Sequence, residues 1–122
     1  MRGFGDLESQ IMDRLWSWQH PATVREVLED LRSEREIAYT TVMTVMDNLH
    51  RKGWLHRDRD GRAYRYRPVA SRDNYSAELM REALTSSADH TATLVRFMEQ
   101  LTPDEVAAMH RARRRLGRRR TP

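Results

Sequence analysis

Apolar residues recur at helical spacing in three consecutive stretches of the first half of the chain. The apolar positions of these stretches are Leu7, Ile11, Leu15 and Trp16, then Val24, Val27, Leu28 and Leu31, then Val42, Val45, Met46 and Leu49. Spacings of three and four residues predict three amphipathic helices. The first is predicted over 7–18 with Asp6 as its N-cap, and the second begins at Thr23, where Thr-Val-Arg-Glu has the form of a capping box.

The third stretch, which begins at Tyr39, carries an unusual polar face. Opposite its apolar side lie Thr40, Thr44, Asp47 and Arg51, with Thr41, Met43 and Asn48 on the flanks. Each threonine costs a few tenths of a kcal/mol of helix propensity, so three of them near a helix start indicate a purpose other than helix formation. Gly53 fits the left-handed position that ends such a helix.

Period-two alternation replaces the helical period after Gly53. Residues 54–59 and 64–67 alternate on either side of Asp60-Gly61, which is a strong signal for a two-residue turn. The pattern predicts an antiparallel β-hairpin that ends at Pro68.

From Ser71 onward the chain shows only helical patterns, and their apolar stripes have no evident core of their own. The stripe residues predicted to mediate dimerisation are Tyr75, Leu79, Leu94, Phe97, Met98, Val106 and Met109. The predicted fold is mainly α with a small β-hairpin. It comprises a winged helix-turn-helix DNA-binding domain over residues 1–70 and a helical dimerisation region with a basic C-terminal tail over residues 71–122.

The net charge of +4 is concentrated in two zones. Residues 51–67 carry seven basic side chains against two acidic ones, and residues 111–120 carry seven arginines and no acid, so the rest of the chain is acidic. Two basic zones favour a polyanionic partner. The alternative is a pair of solvated charge runs, and a terminal arginine run is also often disordered.

In a winged helix-turn-helix the third helix enters the DNA major groove, and the hairpin, or wing, lies along the backbone. Threonine suits that helix because it is short and offers both a hydroxyl and a methyl group to base edges. The DNA-contacting residues predicted from the pattern are Thr40, Thr41, Thr44 and Arg51 on the helix, Arg57, Arg59, Arg62 and Arg65 on the wing, and Thr23 and Arg25 at the start of the second helix. The alternatives are an ordinary solvated helix face and, for Thr23, capping alone. Asp47 would repel phosphates unless Arg51, four residues later, neutralises it.

The sequence gives little support for metal binding or catalysis. Cysteine is absent, the five histidines show no ligand spacing, and no catalytic constellation is present, so we expect no cofactor, no metal and no enzymatic activity. The sequence has no apolar run long enough to span a membrane and no signal-peptide core, which makes a cytoplasmic location the simplest expectation.

Two rival functions come from other classes. A winged-helix protein-interaction module would dock its basic hairpin on an acidic partner and show no sequence preference on DNA. A single-strand or RNA binder would stack bases on Tyr64 and Tyr66, whereas we expect these rings, with Trp16 and Trp54, to pack beneath the wing.

Four strings in order, LESQIMDRLW, ATVREVLEDL, YTTVMTVMDNLHRKGWL and GRAYRYRPV, resemble the penicillinase-repressor family (BlaI/MecI type) of bacterial transcription regulators. The resemblance extends from about Leu7 to Leu116. It implies a homodimeric winged-helix repressor of β-lactam resistance genes on a pseudo-palindromic operator. Matching positions imply base contacts from Thr40, Thr41, Met43 and Thr44.

The same resemblance implies relief of repression by a membrane-bound β-lactam sensor protease, through cleavage of an Asn-Phe bond in the C-terminal region. The corresponding dipeptide in this chain is Arg96-Phe97, which departs from that pattern. A copper-sensing branch of the family has a cysteine-rich C-terminus, which this chain lacks.

Overall fold

A computed structural model of the protein describes the backbone of residues 4–120 and the side chains of residues 4–117. The elements are α1 (Asp6–Trp18), α2 (Val24–Leu31), α3 (Tyr39–Arg51), β1 (Leu55–Asp60), β2 (Ala63–Pro68), α4 (Arg72–Thr85), α5 (His90–Glu99) and α6 (Pro103–Arg120). The chain divides into two compact units, with the division between Leu79 and Met80. The mainly helical architecture with one hairpin, predicted from the pattern, is confirmed.

The first unit has an apolar core to which α1, α2, α3 and both strands of the hairpin contribute. The buried side chains are Ile11, Met12 and Leu15 of α1, Ala22, Val24, Val27, Leu28 and Leu31 in and before α2, Val42, Met46 and Leu49 of α3, and Leu55 and Tyr66 of the hairpin. The predicted N-cap of α1 was wrong by one residue. Gly5 is extended and its N–H donates to Glu8 Oε1 at 3.0 Å, so Asp6 is already the first helical residue.

The capping box at the start of α2 is confirmed. Thr23 Oγ1 accepts from the N–H of Glu26 at 3.2 Å, and Glu26 Oε1 accepts from the N–H of Thr23 at 3.0 Å. Just before it, Ala22 exchanges two backbone hydrogen bonds of 2.8–3.0 Å with Tyr66 of β2. The start of α2 is therefore fixed directly to the hairpin.

The hairpin turn lies one residue later than predicted. Asp60 pairs with Ala63 in the antiparallel register, so Gly61 and Arg62 are the two loop residues. Gly61 has φ of +64°, and glycine at the first loop position is typical of a type II′ turn. The one-residue difference leaves Asp60 in the strand and exposes Arg62 at the tip of the wing.

Four aromatic rings form a cluster on the first unit, at the base of the hairpin. Tyr75 of α4 stacks on Phe4 with ring centroids 4.1 Å apart, and meets Trp54 edge to face at 5.0 Å. The backbone N–H of Phe4 donates to the Tyr75 hydroxyl at 2.7 Å. Trp16 completes the cluster, and its indole N–H donates to the carbonyl of Ala70 at 2.9 Å. The first turns of α4 thus belong with the first unit, whereas the change to purely helical patterns at Ser71 predicts a boundary after residue 70.

The second unit, from Met80 onward, has helices with well-formed ends but exposed apolar faces. Asp89 caps α5, and Thr102 and Glu105 form a capping box at the start of α6. The large apolar side chains exposed in this unit are Met80, Leu94, Val95, Phe97, Met98, Val106, Met109 and Leu116. None of the helices in the described part of the chain has the length and apolar character needed to cross a membrane.

The capping box should give α2 a measurable pH dependence. The N–H of Thr23, with a further contribution from Arg65, holds the pKa of the Glu26 carboxyl below its usual value. A lowered folded-state pKa contributes stability above about pH 4.3, the unfolded-state value, and loses it as the pH falls further. We expect Glu26→Gln to lower the free energy of unfolding in urea at neutral pH, and the difference from the wild type to shrink towards about pH 3.

The matched control for this experiment is Glu29→Gln, which changes an exposed carboxylate on the same helix. A difference between Glu26→Gln and the wild type that stays constant across this pH range would contradict the assignment.

Candidate nucleic-acid interface

The two faces of α3 are separated as the pattern predicted. Val42, Met46 and Leu49 are fully buried. The opposite side exposes Thr40, Thr41, Met43 and Thr44. The hydrophobic face is therefore held by the core, and the short hydroxyl side chains are directed to the surface, where they can approach another molecule.

The start of α3 offers a further contact that the pattern did not identify. Tyr39 is 40% exposed, and the guanidinium of Arg25, from α2, lies 5.6 Å from the centre of its ring. Tyr39 and Met43 are one helical turn apart, so extending the exposed face by one turn would have included Tyr39. Ala38, the N-cap, supplies no side-chain hydrogen bond to the first turn. Helix N-termini with available N–H groups attract phosphate, and Arg25 adds a positive charge nearby.

The predicted contact at Thr23 competes with its capping role. Its hydroxyl oxygen is engaged by the backbone N–H of Glu26, as the capping box requires. The hydroxyl can still donate a hydrogen bond to a phosphate, but capping alone is sufficient to explain its position.

Asp47 forms two ion pairs, one within α3 and one with the wing. Its Oδ2 lies 2.9 Å from Nη2 of Arg51, four residues later on the same helix. Its Oδ1 lies 2.9 Å from Nη1 of Arg57 on β1. The expected neutralisation of Asp47 is thus found, and it involves a wing arginine as well as Arg51.

The wing arginines fall into two groups. Arg57 is half-buried, and its guanidinium lies 4.2 Å from the Tyr64 ring centre in addition to its pair with Asp47. Arg65 is paired with Asp60 at 2.6 Å and with Glu26 at 3.3 Å. Arg59 and Arg62 are exposed, and neither forms an ion pair with any residue that the structure describes. These two arginines are therefore the most readily available for phosphate.

The aromatic residues near the wing pack mainly within the protein. Tyr66 is buried, while Trp16 and Trp54 are half-buried in the aromatic cluster. Tyr64 is 37% exposed and is flanked by the guanidinium groups of Arg57 and Arg59. The sequence predicts that all four rings pack beneath the wing. Tyr64 departs most from this prediction, because its ring is the most exposed of the four.

The predicted dimerisation residues lie in different surroundings. Leu94, Phe97, Met98, Val106 and Met109 are exposed in the second unit, and Leu79 is half-buried at the end of the first. Tyr75 instead has partners within its own chain, in the aromatic cluster. Arg96-Phe97 lies inside α5, where Arg96 pairs with Glu99 at 3.4 Å.

An exposed polar face on the third helix, a buried aliphatic side behind it and an adjacent cationic hairpin define a winged-helix DNA-binding protein. The model of the penicillinase repressor family matches residues 4–114. The chain is also 48% identical over 111 residues to the transcriptional regulator BlaI of Mycobacterium tuberculosis, covering 88% of this chain and 80% of that protein. The chain therefore belongs to the penicillinase-repressor family, and it is a DNA-binding transcriptional repressor rather than an enzyme.

Solved structures agree with this assignment. The solution structure of the DNA-binding domain of the repressor BlaI is similar with a TM-score of 0.51 and 25% identity, covering 62% of this chain and 94% of that one. MepR, a transcription regulator of the Staphylococcus aureus multidrug efflux pump MepA, has a TM-score of 0.51 at 16% identity over 93% of this chain and 77% of its own. At that identity the likeness to MepR concerns the fold alone.

The Asp47 bridge generates a prediction about DNA affinity. Asp47→Asn removes the carboxylate that holds Arg51 and Arg57, and it also removes a negative charge beside the polar face of α3. We expect binding to a random-sequence duplex to tighten by up to about fivefold, the range of an exposed ion pair, as measured by fluorescence anisotropy at fixed salt.

Asp58→Asn is the matched control, because Asp58 is an exposed wing carboxylate that lies 3.7 Å from Arg67 instead. Equal tightening in both variants would show that net charge alone matters and that Asp47 has no special role.

Proposed function

We propose that the protein represses transcription as a homodimer, with the two α3 helices reading the half-sites of a pseudo-palindromic operator and the bound dimer occluding the promoter. The observation that carries the proposal is the hydroxyl face of α3, exposed beside the wing. In a two-fold dimer two such faces occupy successive turns of one side of the duplex. The regulated genes included in this proposal are those of β-lactam resistance, as the family resemblance implies.

The proposed residue roles follow from exposure and ion pairing. Thr40, Thr41, Met43 and Thr44 contact base edges. Arg59 and Arg62, which have no carboxylate partner among the described residues, bind phosphate directly. Arg51, Arg57 and Arg65 bind phosphate while shared with Asp47, Asp60 or Glu26. Arg25, near the exposed start of α3, supplies a further phosphate contact.

The proposed dimer interface is formed by the apolar faces beyond residue 71. The exposed side chains of α5 and α6 support this role, because contiguous apolar surface on a protein normally marks an interface. Burying such side chains against a second copy yields roughly 1.5–3 kcal/mol for each one that becomes fully buried.

The proposed inducing system is a membrane-bound β-lactam sensor protease that acts on the repressor in the cytoplasm, where its DNA lies. Cleavage between Arg96 and Phe97 requires more than recognition of that dipeptide, because the bond lies within helix α5. Proteases act on extended backbone, so α5 has to open locally before this bond can be cut.

Thr44→Ala and Arg62→Ala test the division of roles between base and phosphate contacts. A duplex enriched from a random-sequence library by the wild-type protein serves as the operator probe. We expect Thr44→Ala to weaken binding to this duplex by about fivefold, or about 1 kcal/mol, and to leave random-sequence binding unchanged. Arg62→Ala should weaken both, and it should reduce the slope of log affinity against log salt by about 1.8, because the dimer loses one phosphate contact of about 0.9 on each wing.

The opposite pattern in the two variants would reject the role assignment. Failure to enrich any sequence would instead favour a protein-interaction module whose basic hairpin docks an acidic partner.

The dimer is tested by sedimentation of the wild type and two glutamate variants at micromolar concentration. Met109→Glu places a charge on the proposed interface and should shift the mass to that of a monomer. Val69→Glu changes an apolar residue that is 45% exposed in the first unit, so it should leave the dimer intact. A monomeric wild type under these conditions would remove the dimer from the proposal.

A further inference from the structure

The last part of α6 carries a charge that the winged-helix unit does not account for. Residues 111–120 contain seven arginines and no acidic residue, and α6 remains helical to Arg120. The family match ends at residue 114, so it includes Arg111 and Arg114, and residues 115–120 lie beyond it. All the charged residues of this helical segment are cationic, which favours a polyanionic partner.

Helical geometry places three of these arginines in one row. Arg111, Arg114 and Arg115 are spaced at i, i+3 and i+4, so they share a face of α6. Their Cα atoms span about 6 Å along the helix axis. All three side chains are exposed, and none forms an ion pair within residues 4–117. We call this set the arginine row.

The opposite side of α6 is apolar. Val106, Met109 and Leu116 lie about 140–160° around the helix from Arg111. Together with Met98 and Leu101 they line an open groove beside α5 of about 700 Å³. The apolar side of α6 is therefore turned towards α5, and the arginine row lies on the side away from that groove.

The chemistry of the row fits the phosphates of a nucleic acid duplex. Arginine presents planar N–H forks that match phosphate oxygens, and it remains charged at any physiological pH. Duplex DNA carries one negative charge per about 1.7 Å of its axis, so three closely spaced cations can release condensed counterions together. An anionic membrane would attract the same cations, but an amphipathic helix binds it most strongly when its apolar side is inserted, and that side of α6 lines the groove with α5.

A protein already held on DNA also gains from tethering. Once the winged-helix unit has bound, a second cationic surface of the same chain meets duplex phosphates at a high effective concentration. A contact too weak to act alone then adds to the total affinity.

We propose that the arginine row, Arg111, Arg114 and Arg115, is a second DNA-binding surface that contacts duplex phosphates independently of sequence. This inference rests on the proposed function, since it extends the contact of a DNA-bound repressor. It adds affinity and salt dependence equally for all sequences, and it carries no operator specificity.

The test compares two triple variants of the full chain. The first is Arg111→Gln with Arg114→Gln and Arg115→Gln, which removes the row and keeps a residue of similar helix propensity. The second is Arg35→Gln with Arg81→Gln and Arg96→Gln, which removes the same charge from exposed arginines outside the row and outside the proposed DNA contacts of the winged-helix unit. Circular dichroism and sedimentation verify that each variant keeps its helix content and oligomeric state.

The readout is the slope of log affinity against log salt on a random-sequence duplex. We expect the row variant to reduce the magnitude of the slope by about 5.4, or about 0.9 for each of the six phosphate contacts that a dimer loses, and the control variant to reduce it by less than about 1.8. The ratio of affinities for the enriched operator and the random duplex should be the same in the row variant as in the wild type.

Equal slopes in the two triple variants would overturn the proposal, since the effect would then be one of net charge. An unchanged slope in the row variant would also overturn the proposal. If the row variant in addition loses a binding to vesicles of phosphatidylglycerol and phosphatidylcholine that the wild type shows, the row is a membrane-binding surface instead. Failure of the proposed function is a separate outcome, because it appears as the absence of any sequence preference in the wild type, whereas the slopes on random duplex remain measurable.

Discussion

Burial of the aliphatic side of α3 is the constraint on which the rest of the structure depends. Val42, Met46 and Leu49 are fully buried among residues of α1, α2 and the hairpin. Rotating the helix by one residue, about 100°, would bring these side chains to water and turn threonine hydroxyls into an apolar core, where each lacks a partner. Both changes are unfavourable, so the core fixes the rotational setting of the helix. The exposed threonines do not contribute to this packing, so their hydroxyl and methyl groups are available to contact a partner.

Ion pairs between carboxylates and arginines restrain the side chains of the same surface. The number of arginines in the wing region overstates the cations available to DNA, because carboxylates lie close to several of them. Asp47 holds Arg51 and Arg57 at 2.9 Å each, whereas Arg59 and Arg62 have no such neighbour among the described residues. Exposed ion pairs are individually weak, so the paired arginines are restrained in position but can still exchange a carboxylate for a DNA phosphate. The Asp47 bridge also spans α3 and β1, and it therefore orders the polar face relative to the wing.

The aromatic cluster decides where the first unit ends. The hydrophobic pattern becomes purely helical at Ser71, and that change predicts a boundary after residue 70. Tyr75, however, stacks on Phe4 and contacts Trp54, so the first turns of α4 are packed with residues far earlier in the chain. Phe4 and Tyr75 are 71 residues apart, and no local pattern predicts that they meet. Aromatic rings contribute large apolar areas and specific edge-to-face geometry, which makes such a cluster an effective anchor for a helix.

The sequence by itself determined the helices, the hairpin, the capping box at Thr23, and the separation of apolar and hydroxyl faces on α3. All of these depend on residues within a few positions of one another, where spacing and propensity are sufficient. Tertiary structure decided that Arg57 also shares Asp47 and that Arg65 shares Glu26, that Tyr39 and Arg25 lie together, and that Tyr75 belongs to the first unit. Those facts depend on contacts between residues distant in the chain, and charge or apolar character alone does not specify them. The one-residue errors at Asp6 and Asp60 have a more local cause, because Gly5 and Gly61 each adopted a backbone conformation that moved the boundary of an element by one position.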